Sequence, residues 1–417
     1  MACLEVVGGK KLFGELDVQG SKNAVLPILA ACMLCEEEVL LENVPEIDDV
    51  VSMTRLLETL GMYINVSEQG MRLEFLERKN CQLEQKLSKE LRASVLLVAP
   101  ILCRYKKVQF PYPGGCVIGK RPIDLHLYAL KQMGVKFYEK EDWIYGEVKE
   151  LHGATIVFPF PSVGATEQGI LAAVCAKGTT IIVNAAKEPE IVSLCEFMKG
   201  MGACIDGIGT GVLRIHGVNA LHKTYYKIPA DRIVAATYLV AVAGCGGAIS
   251  LRGNCFRQLD SVTEPLKHCG VRFIMEEEQI HCISNGNRKG NVHLKTEGYP
   301  GFPTDMQSML MCYLSKGQGK STIREDIFES RFACAKELEK MGAKIEVKGK
   351  CATIYGTERL AGASVSAKDL RGGAALILAG LMADGITYIE GLSYIARGYE
   401  KIEERFSSLG AQIARKG

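Results

Sequence analysis

The sequence predicts a mixed α/β protein built from six repeated βαβαββ units, three in each of two domains, and three observations lead there. An apolar–glycine ending recurs at intervals of about 70 residues: Leu60-Gly61, Met133-Gly134, Met201-Gly202, Cys269-Gly270, Met341-Gly342 and Leu409-Gly410. Roughly midway between these glycines, a polar cluster opens an apolar, alanine-rich run. At 417 residues the chain is also too long for one hydrophobic core of ordinary size.

Each recurring glycine closes an amphipathic stretch and precedes an alternating one, as in LLETLG-MYINV, LKQMG-VKFYE and LEKMG-AKIEV. That pattern is a surface helix ended by a C′ glycine, followed by a half-buried strand. The polar clusters are Ser21-Lys22-Asn23, Arg92-Ala93-Ser94, Ser162-Val163-Gly164, Asp231-Arg232, Thr304-Asp305 and Asp369-Leu370-Arg371. Most supply a Ser, Thr or Asp suited to N-capping, and the run behind each is apolar on all sides, so each starts a buried helix. A short strand comes next, as in VQFPYP, TTIIVNA, GAISLRG, KSTIRED and ITYIEGL. Three units per core place the domain boundary near residue 229, giving a first domain over 22–229. The opening segment precedes the first cluster and has no unit of its own. It is expected to complete the sixth unit, so the second domain comprises 1–21 and 230–417.

Composition narrows the function. A net charge of +2 with no long run of one sign gives no footing for a nucleic-acid or membrane-surface partner, so any anion binding is local. The sixteen cysteines are scattered, mostly within apolar runs such as Leu171 to Cys175 and Met309 to Cys312, the pattern of reduced, buried small hydrophobes. Cys32 and Cys35 have CxxC spacing but no second pair or paired histidines nearby, and the seven histidines show no ligand spacing, so neither metal nor cofactor is expected. Val234 to Leu251 is apolar enough to raise a membrane span, but Gly244, Gly246 and Gly247 interrupt it and the other units contain its counterparts. The start, MACLEVVGGKKLFG, has no apolar core or small-residue cleavage site of a signal peptide, so a cytoplasmic location is expected.

If the three buried helices of a domain run parallel, their N-termini gather at one end, where partial positive charge favours phosphate and carboxylate ligands. Lys22, Arg92, Asp305 and Arg371 fall in the first turn or cap of such helices, and Arg121, Glu329, Arg331 and Arg397 fall in or beside the strand-to-surface-helix loops. Any one of these arginines, taken singly, is more often a solvated charge. Recurrence at equivalent positions weighs against that for the set. Cys116 alone among the cysteines sits in a glycine-flanked loop with Lys120 and Arg121 beside it, the electropositive setting in which a thiol becomes reactive. Asp305 has two readings, an N-cap or a proton acceptor.

One segment is more specific: Pro113-Gly114-Gly115-Cys116-Val117-Ile118-Gly119-Lys120-Arg121-Pro122-Ile123-Asp124-Leu125-His126. Together with Ser21 to Ala24, Leu91 to Ser94, Ser162 to Thr166, Glu188-Pro189-Glu190, Phe302 to Gln307 and Arg397-Gly398-Tyr399-Glu400, it resembles the UDP-N-acetylglucosamine 1-carboxyvinyltransferase family of enolpyruvyl transferases. The resemblance runs in order along nearly the whole chain. It implies a two-domain, inside-out α/β barrel and transfer of the enolpyruvyl group of phosphoenolpyruvate to the 3-hydroxyl of UDP-N-acetylglucosamine, by a monomer without cofactor. It implies that Lys22, Arg121 and Arg397 hold phosphoenolpyruvate, that Cys116 delivers a proton to the enol methylene and captures phosphoenolpyruvate covalently, and that Asp305 accepts the proton of the sugar hydroxyl. It further places Asn23, Arg92, Arg121, Pro122, Ile123, Asp124, Leu125, Ser162, Val163, Gly164, Asp305 and Ile327 around the sugar nucleotide. Arg331, Asp369 and Arg371 would then form a supporting layer of ion pairs, with Glu188 and Glu190 orienting the shell.

Four positions depart from that family's pattern: Val234 stands where a glutamate is common, Tyr394 and Ala396 where a histidine and an aspartate are, and Lys120 where small residues are. Two rivals follow, an enolpyruvyl transferase acting on shikimate 3-phosphate and a non-catalytic sugar-nucleotide binder. The cysteine loop argues against the first. The joint presence of Lys22, Cys116, Arg121, Asp305 and Arg397 argues against the second.

Overall fold

The computed structural model describes residues 2–77, 80–114, 122–286 and 291–417. These fall into two compact units, one containing 2–19 and 230–417, the other 20–114 and 122–229. Each has its own hydrophobic core.

All six amphipathic stretches end on a left-handed glycine, with φ between +88° and +103° at Gly61, Gly134, Gly202, Gly270, Gly342 and Gly410. That conformation is open to glycine at no steric cost, and it turns each surface helix into its following strand. The apolar runs form the central helices: Lys22–Cys32, Val98–Tyr105 and Val163–Ala173 in one unit, Arg232–Cys245, Gln307–Ser315 and Leu370–Met382 in the other. Every residue from Arg232 to Gly244 and from Arg371 to Met382 is buried. Each buried aliphatic side chain contributes roughly 1.5–3 kcal/mol, so such helices are stable only when surrounded. Gly244 permits that closeness, because a Cβ there would come 2.2 Å from Met382 Sδ of the neighbouring helix.

Among the described residues, six sheets lie around the helices, each with its own strands, five of them four-stranded. The third repeat shows the plan. Thr155–Val157 precedes the buried helix and runs parallel to Thr179–Val183, which pairs antiparallel with Val212–His216, itself paired with Cys204–Asp206. In the second repeat the sheet has three strands, and the place of the fourth is taken by a single parallel bridge, Gln82 to Gln109.

The opening segment makes two strands rather than one. Cys3–Val7 pairs with Ile386–Glu390 and Gln412–Lys416 in the sixth sheet, whereas Leu12–Asp17 runs parallel to Gly247–Arg252 in the fourth. The break falls at Gly8-Gly9, where Gly9 is left-handed at φ +80° and a Cβ on Gly8 would meet Ala383 O at 2.0 Å. In the other unit, Thr224–Lys227 runs parallel to Val39–Glu42 and supplies the leading strand of the first repeat.

The capping expectation needs correction at half the helix starts. Ser21, Asp231 and Asp369 do accept backbone N–H groups through their side chains. Ser162 is an N-cap residue without such a bond. The second and fifth helices begin instead with 3₁₀ turns, Arg92–Leu97 and Thr304–Met306, capped by Leu91 and Pro303. Neither cap offers a side-chain acceptor, so Arg92 and Asp305 turn to other partners. Among the described residues no helix is long and apolar enough to cross a membrane, and Arg232–Cys245 stops at Gly246, φ +80°.

After limited proteolysis at the crossings near Gly20 and Ala230, the strands of residues 2–19 should remain with 230–417 on native size-exclusion, as read by mass spectrometry. Their elution with 20–229 would contradict the pairings to the fourth and sixth sheets.

Candidate functional site

In the unit containing 20–229, Lys22 is the first residue of its helix, and its Nζ lies 2.6 Å from Asp49 Oδ2 in the first turn of Asp48–Thr59. Lys22 is half-buried, and the pair fixes where its ammonium points. Asn23 follows, half-buried. Arg92 donates to the carbonyls of Pro113 (3.4 Å) and Pro122 (3.2 Å), which flank the segment carrying the cysteine motif. Cys116 and Arg121 themselves lie outside the described residues. The incoming arm is pressed close, since a Cβ on Gly114 would stand 2.1 Å from Lys89 O.

Pro122 and Ile123 lead into the helix Asp124–Gln132, which begins Asp124-Leu125 and packs against Val163–Ala173. Ser162, Val163 and Gly164 open that second helix, and Gly164 is needed for the approach, because a Cβ would meet His126 Nε2 at 2.6 Å. Arg92, Tyr112, Pro122, Ile123, Tyr128 and Lys131 line a cavity of about 400 Å³. Asp124 and Glu139 also line it and balance the two cations, so its tyrosine walls suit a planar, polar ligand.

In the unit containing 230–417 the charged residues converge. Asp305 Oδ2 accepts from Arg371 Nε (3.1 Å) and Nη2 (2.8 Å), and Oδ1 pairs with Arg331 Nη2. The Asp305 side chain is 26% exposed while those of Arg331 and Arg371 are 3% and 4% exposed. The two buried guanidinium groups thus grip a carboxylate that keeps part of its surface exposed. Burial works against the Arg371 charge, but Asp305, Tyr399 and Asp231 more than offset it and hold the guanidinium firmly protonated. Arg331 Nε also donates to Thr304 O (3.1 Å), and the Thr304 hydroxyl donates to Glu325 Oε2 (2.7 Å). The other oxygen of Glu325 accepts from the amides of Ile327 (2.8 Å) and Phe328 (3.0 Å), leaving the Ile327 side chain exposed. Asp369 faces its own helix, accepting from the amides of Arg371 and Gly372. Arg397 follows the short helix Leu392–Ala396 in a half-buried turn. Gln19 holds that turn, donating to Gly398 O (3.2 Å) and accepting from Glu400 N (2.9 Å).

A family model described as EPSP synthase (3-phosphoshikimate 1-carboxyvinyltransferase) matches residues 6–406. The chain belongs to the EPSP synthase family. Within this family it is 42% identical over 415 residues to UDP-N-acetylglucosamine 1-carboxyvinyltransferase 2 of Caldanaerobacter subterraneus subsp. tengcongensis, with 100% of both chains covered. It is 41% identical over 422 residues to UDP-N-acetylglucosamine 1-carboxyvinyltransferase of Paramagnetospirillum magneticum, covering 99% of this chain and 98% of that one. Among solved structures, the enolpyruvyl transferase NikO of Streptomyces tendae superposes with a TM-score of 0.91 at 22% identity, covering 100% of this chain and 99% of that one. EPSP synthase from Acinetobacter baumannii gives 0.76 at 18%, with 100% of both covered. These likenesses give the fold, that of the enolpyruvyl transferases.

Against this family frame, sequence reasoning passed over Asp49, Gln19, Glu325 and Glu167. A lone acidic or amide residue carries no periodic signal, and only contacts between distant segments give these four their roles. Glu167 lies one turn into the helix that Ser162 opens and is 5% exposed. Burial, then the neighbouring Glu190 and Glu188, push its carboxyl well above the ordinary range.

A carboxyl raised in the folded state binds more protons folded than unfolded, so its contribution to stability is present at low pH and lost as pH rises toward the folded value. Glu167→Gln should therefore be more stable than the parent protein at neutral pH, with the gain shrinking toward pH 4, at no more than about 1.4 kcal/mol per pH unit. Urea midpoints of both proteins across that range give the difference; a gain independent of pH would contradict a raised Glu167 carboxyl.

Proposed function

We propose that this chain transfers the enolpyruvyl group of phosphoenolpyruvate to the 3-hydroxyl of UDP-N-acetylglucosamine, releasing phosphate, the first committed step of peptidoglycan synthesis. The observation that carries the reading is full-length identity of 41–42% with proteins named for that activity. The geometry of Asp305 supports it. A carboxylate oriented by two guanidinium groups and still partly exposed is what a base for a sugar hydroxyl requires.

In this reading Asp305 takes the hydroxyl proton as the sugar oxygen bonds to C2 of phosphoenolpyruvate, and the methylene carbon gains a proton from Cys116. The C2–O bond to phosphate then breaks, a proton leaves the methyl carbon, and the vinyl ether forms. Lys22, Arg121 and Arg397 hold the phosphate and carboxylate, whose charges call for several cations. Arg331 and Arg371 orient Asp305, and Asp369 keeps the start of the Arg371 helix in place. Asn23, Arg92, Pro122 to Leu125, Ser162 to Gly164 and Ile327 hold the sugar nucleotide, whose uridine suits the aromatic cavity beside Arg92. The protein acts in the cytoplasm as a monomer, without metal or cofactor.

Phosphate release from phosphoenolpyruvate should require UDP-N-acetylglucosamine and should not occur with shikimate 3-phosphate. Asp305→Asn should lower kcat by about 10²–10⁴-fold, the range for loss of a general base. Cys116→Ala should abolish covalent trapping of phosphoenolpyruvate; release with the shikimate acceptor alone, or full turnover without the thiol, would contradict the reading.

A further inference from the structure

Arg371 is anchored at two edges. Its Nε and Nη2 face Asp305, and Nη1 donates to Tyr399 Oη at 3.3 Å. Tyr399 Oη lies 2.9 Å from Thr237 Oγ1. The Thr237 hydroxyl donates to Ile233 O at 2.8 Å, one turn back in the helix Arg232–Cys245. With that hydrogen committed, Thr237 can only accept from Tyr399, and Tyr399 in turn accepts from Arg371. The chain of donors therefore has one direction: Arg371 to Tyr399 to Thr237 to the Ile233 carbonyl.

All three side chains are enclosed. Arg371 and Tyr399 are 3% exposed and Thr237 is 0% exposed, so water cannot readily replace a lost bond. Burial raises the Tyr399 phenol, which stays neutral and keeps its hydrogen to donate. A planar guanidinium bonded along one edge alone can still rotate out of the plane of its carboxylate partner; a second acceptor on the far side fixes the plane.

We propose that Tyr399 and Thr237 are positioning residues for Asp305: by holding the far edge of Arg371 they set the plane of the carboxylate that receives the acceptor's proton. The proposal rests on Asp305 being the base. Tyr399 also follows Arg397 by two residues, so one turn carries both a phosphoenolpyruvate cation and the strut behind the base. A purely structural role would reduce stability and spare the chemical step; a positioning role lowers kcat with little change in substrate KM, because binding is left intact and only the reacting geometry is lost.

The test compares Tyr399→Phe, Thr237→Val, Thr237→Ser, the Tyr399→Phe/Thr237→Val double variant and Asp305→Asn, with near-UV circular dichroism confirming a native fold. Phosphate release should show kcat lower by about 10–100-fold in Tyr399→Phe and Thr237→Val, with KM for phosphoenolpyruvate within about twofold. Thr237→Ser should restore most of what Thr237→Val loses. The double variant should be no slower than Tyr399→Phe, since both residues act in series. Wild-type kcat in Tyr399→Phe and Thr237→Val, with Asp305→Asn inactive, would overturn the proposal and leave the base standing. Full turnover by Asp305→Asn would overturn the base and the proposal with it. Independently of turnover, a crystal structure of Tyr399→Phe should show the Arg371 bonds to Asp305 rearranged; finding both unchanged would also overturn it.

Discussion

A helix that is apolar on every side has no stable place at a surface, and that constraint organises this protein. Leu370–Met382 and Arg232–Cys245 present no polar face to water, so each must be enclosed by other helices and by the inner faces of sheets. One βαβαββ repeat encloses only part of its own helix. Three repeats, each lending a sheet, complete the cover, and this accounts for a separate core in each unit. The same demand explains the borrowed strands. Without Cys3–Val7 the sixth sheet would lose its link between Ile386–Glu390 and Gln412–Lys416, and Leu4 and Val6 would leave the core they fill.

The ends of these helices set where polar chemistry can occur. A buried helix brings its unpaired N–H groups to the edge of an apolar core, where side chains must satisfy them. Asp231 and Asp369 do so as caps, and Asp305, standing in a 3₁₀ turn behind Pro303, does not. Its carboxylate is therefore available to two arginines. Lone buried cations would be costly, but Arg371 and Arg331 meet one carboxylate between them and spread their remaining donors to Tyr399 and the Thr304 carbonyl. The result is a stiff polar layer behind the partly exposed Asp305 carboxylate.

Much of the repeat plan could be read from residues alone, because its signals are periodic. The left-handed glycine after each surface helix is such a signal, and Gly61 to Gly410 mark it six times. What could not be read is whatever depends on a contact between distant segments. Nothing near Gln19 in sequence indicates that its carboxamide will hold the turn after Arg397, nearly the full chain length away. The polar clusters misled at Arg92 and Thr304, since a nearby Ser or Thr resembles a cap until the preceding residue, Leu91 or Pro303, is seen to occupy that place. The division of the opening segment between two sheets was hidden for a related reason. The Gly8-Gly9 break between its two strands becomes decisive only against the Ala383 carbonyl.

The departures at Val234, Tyr394 and Ala396 have a local structural answer. Residue 234 is the N3 position of the helix capped by Asp231, where a glutamate could reach back to the N–H of the cap residue. Val234 cannot, and is fully buried instead. The N–H of Asp231 is nevertheless satisfied, donating to Gln19 O at 2.8 Å. The side chain of the same Gln19 fixes the backbone after Arg397, beside the positions where Tyr394 and Ala396 offer no charged support. One buried amide residue thus serves both the helix start of the fourth repeat and the Arg397 turn of the sixth. The side-chain bonds missing from the sequence pattern are replaced by bonds to the opening segment, which makes the placement of that segment in this unit a condition for the arginine as well as for the core.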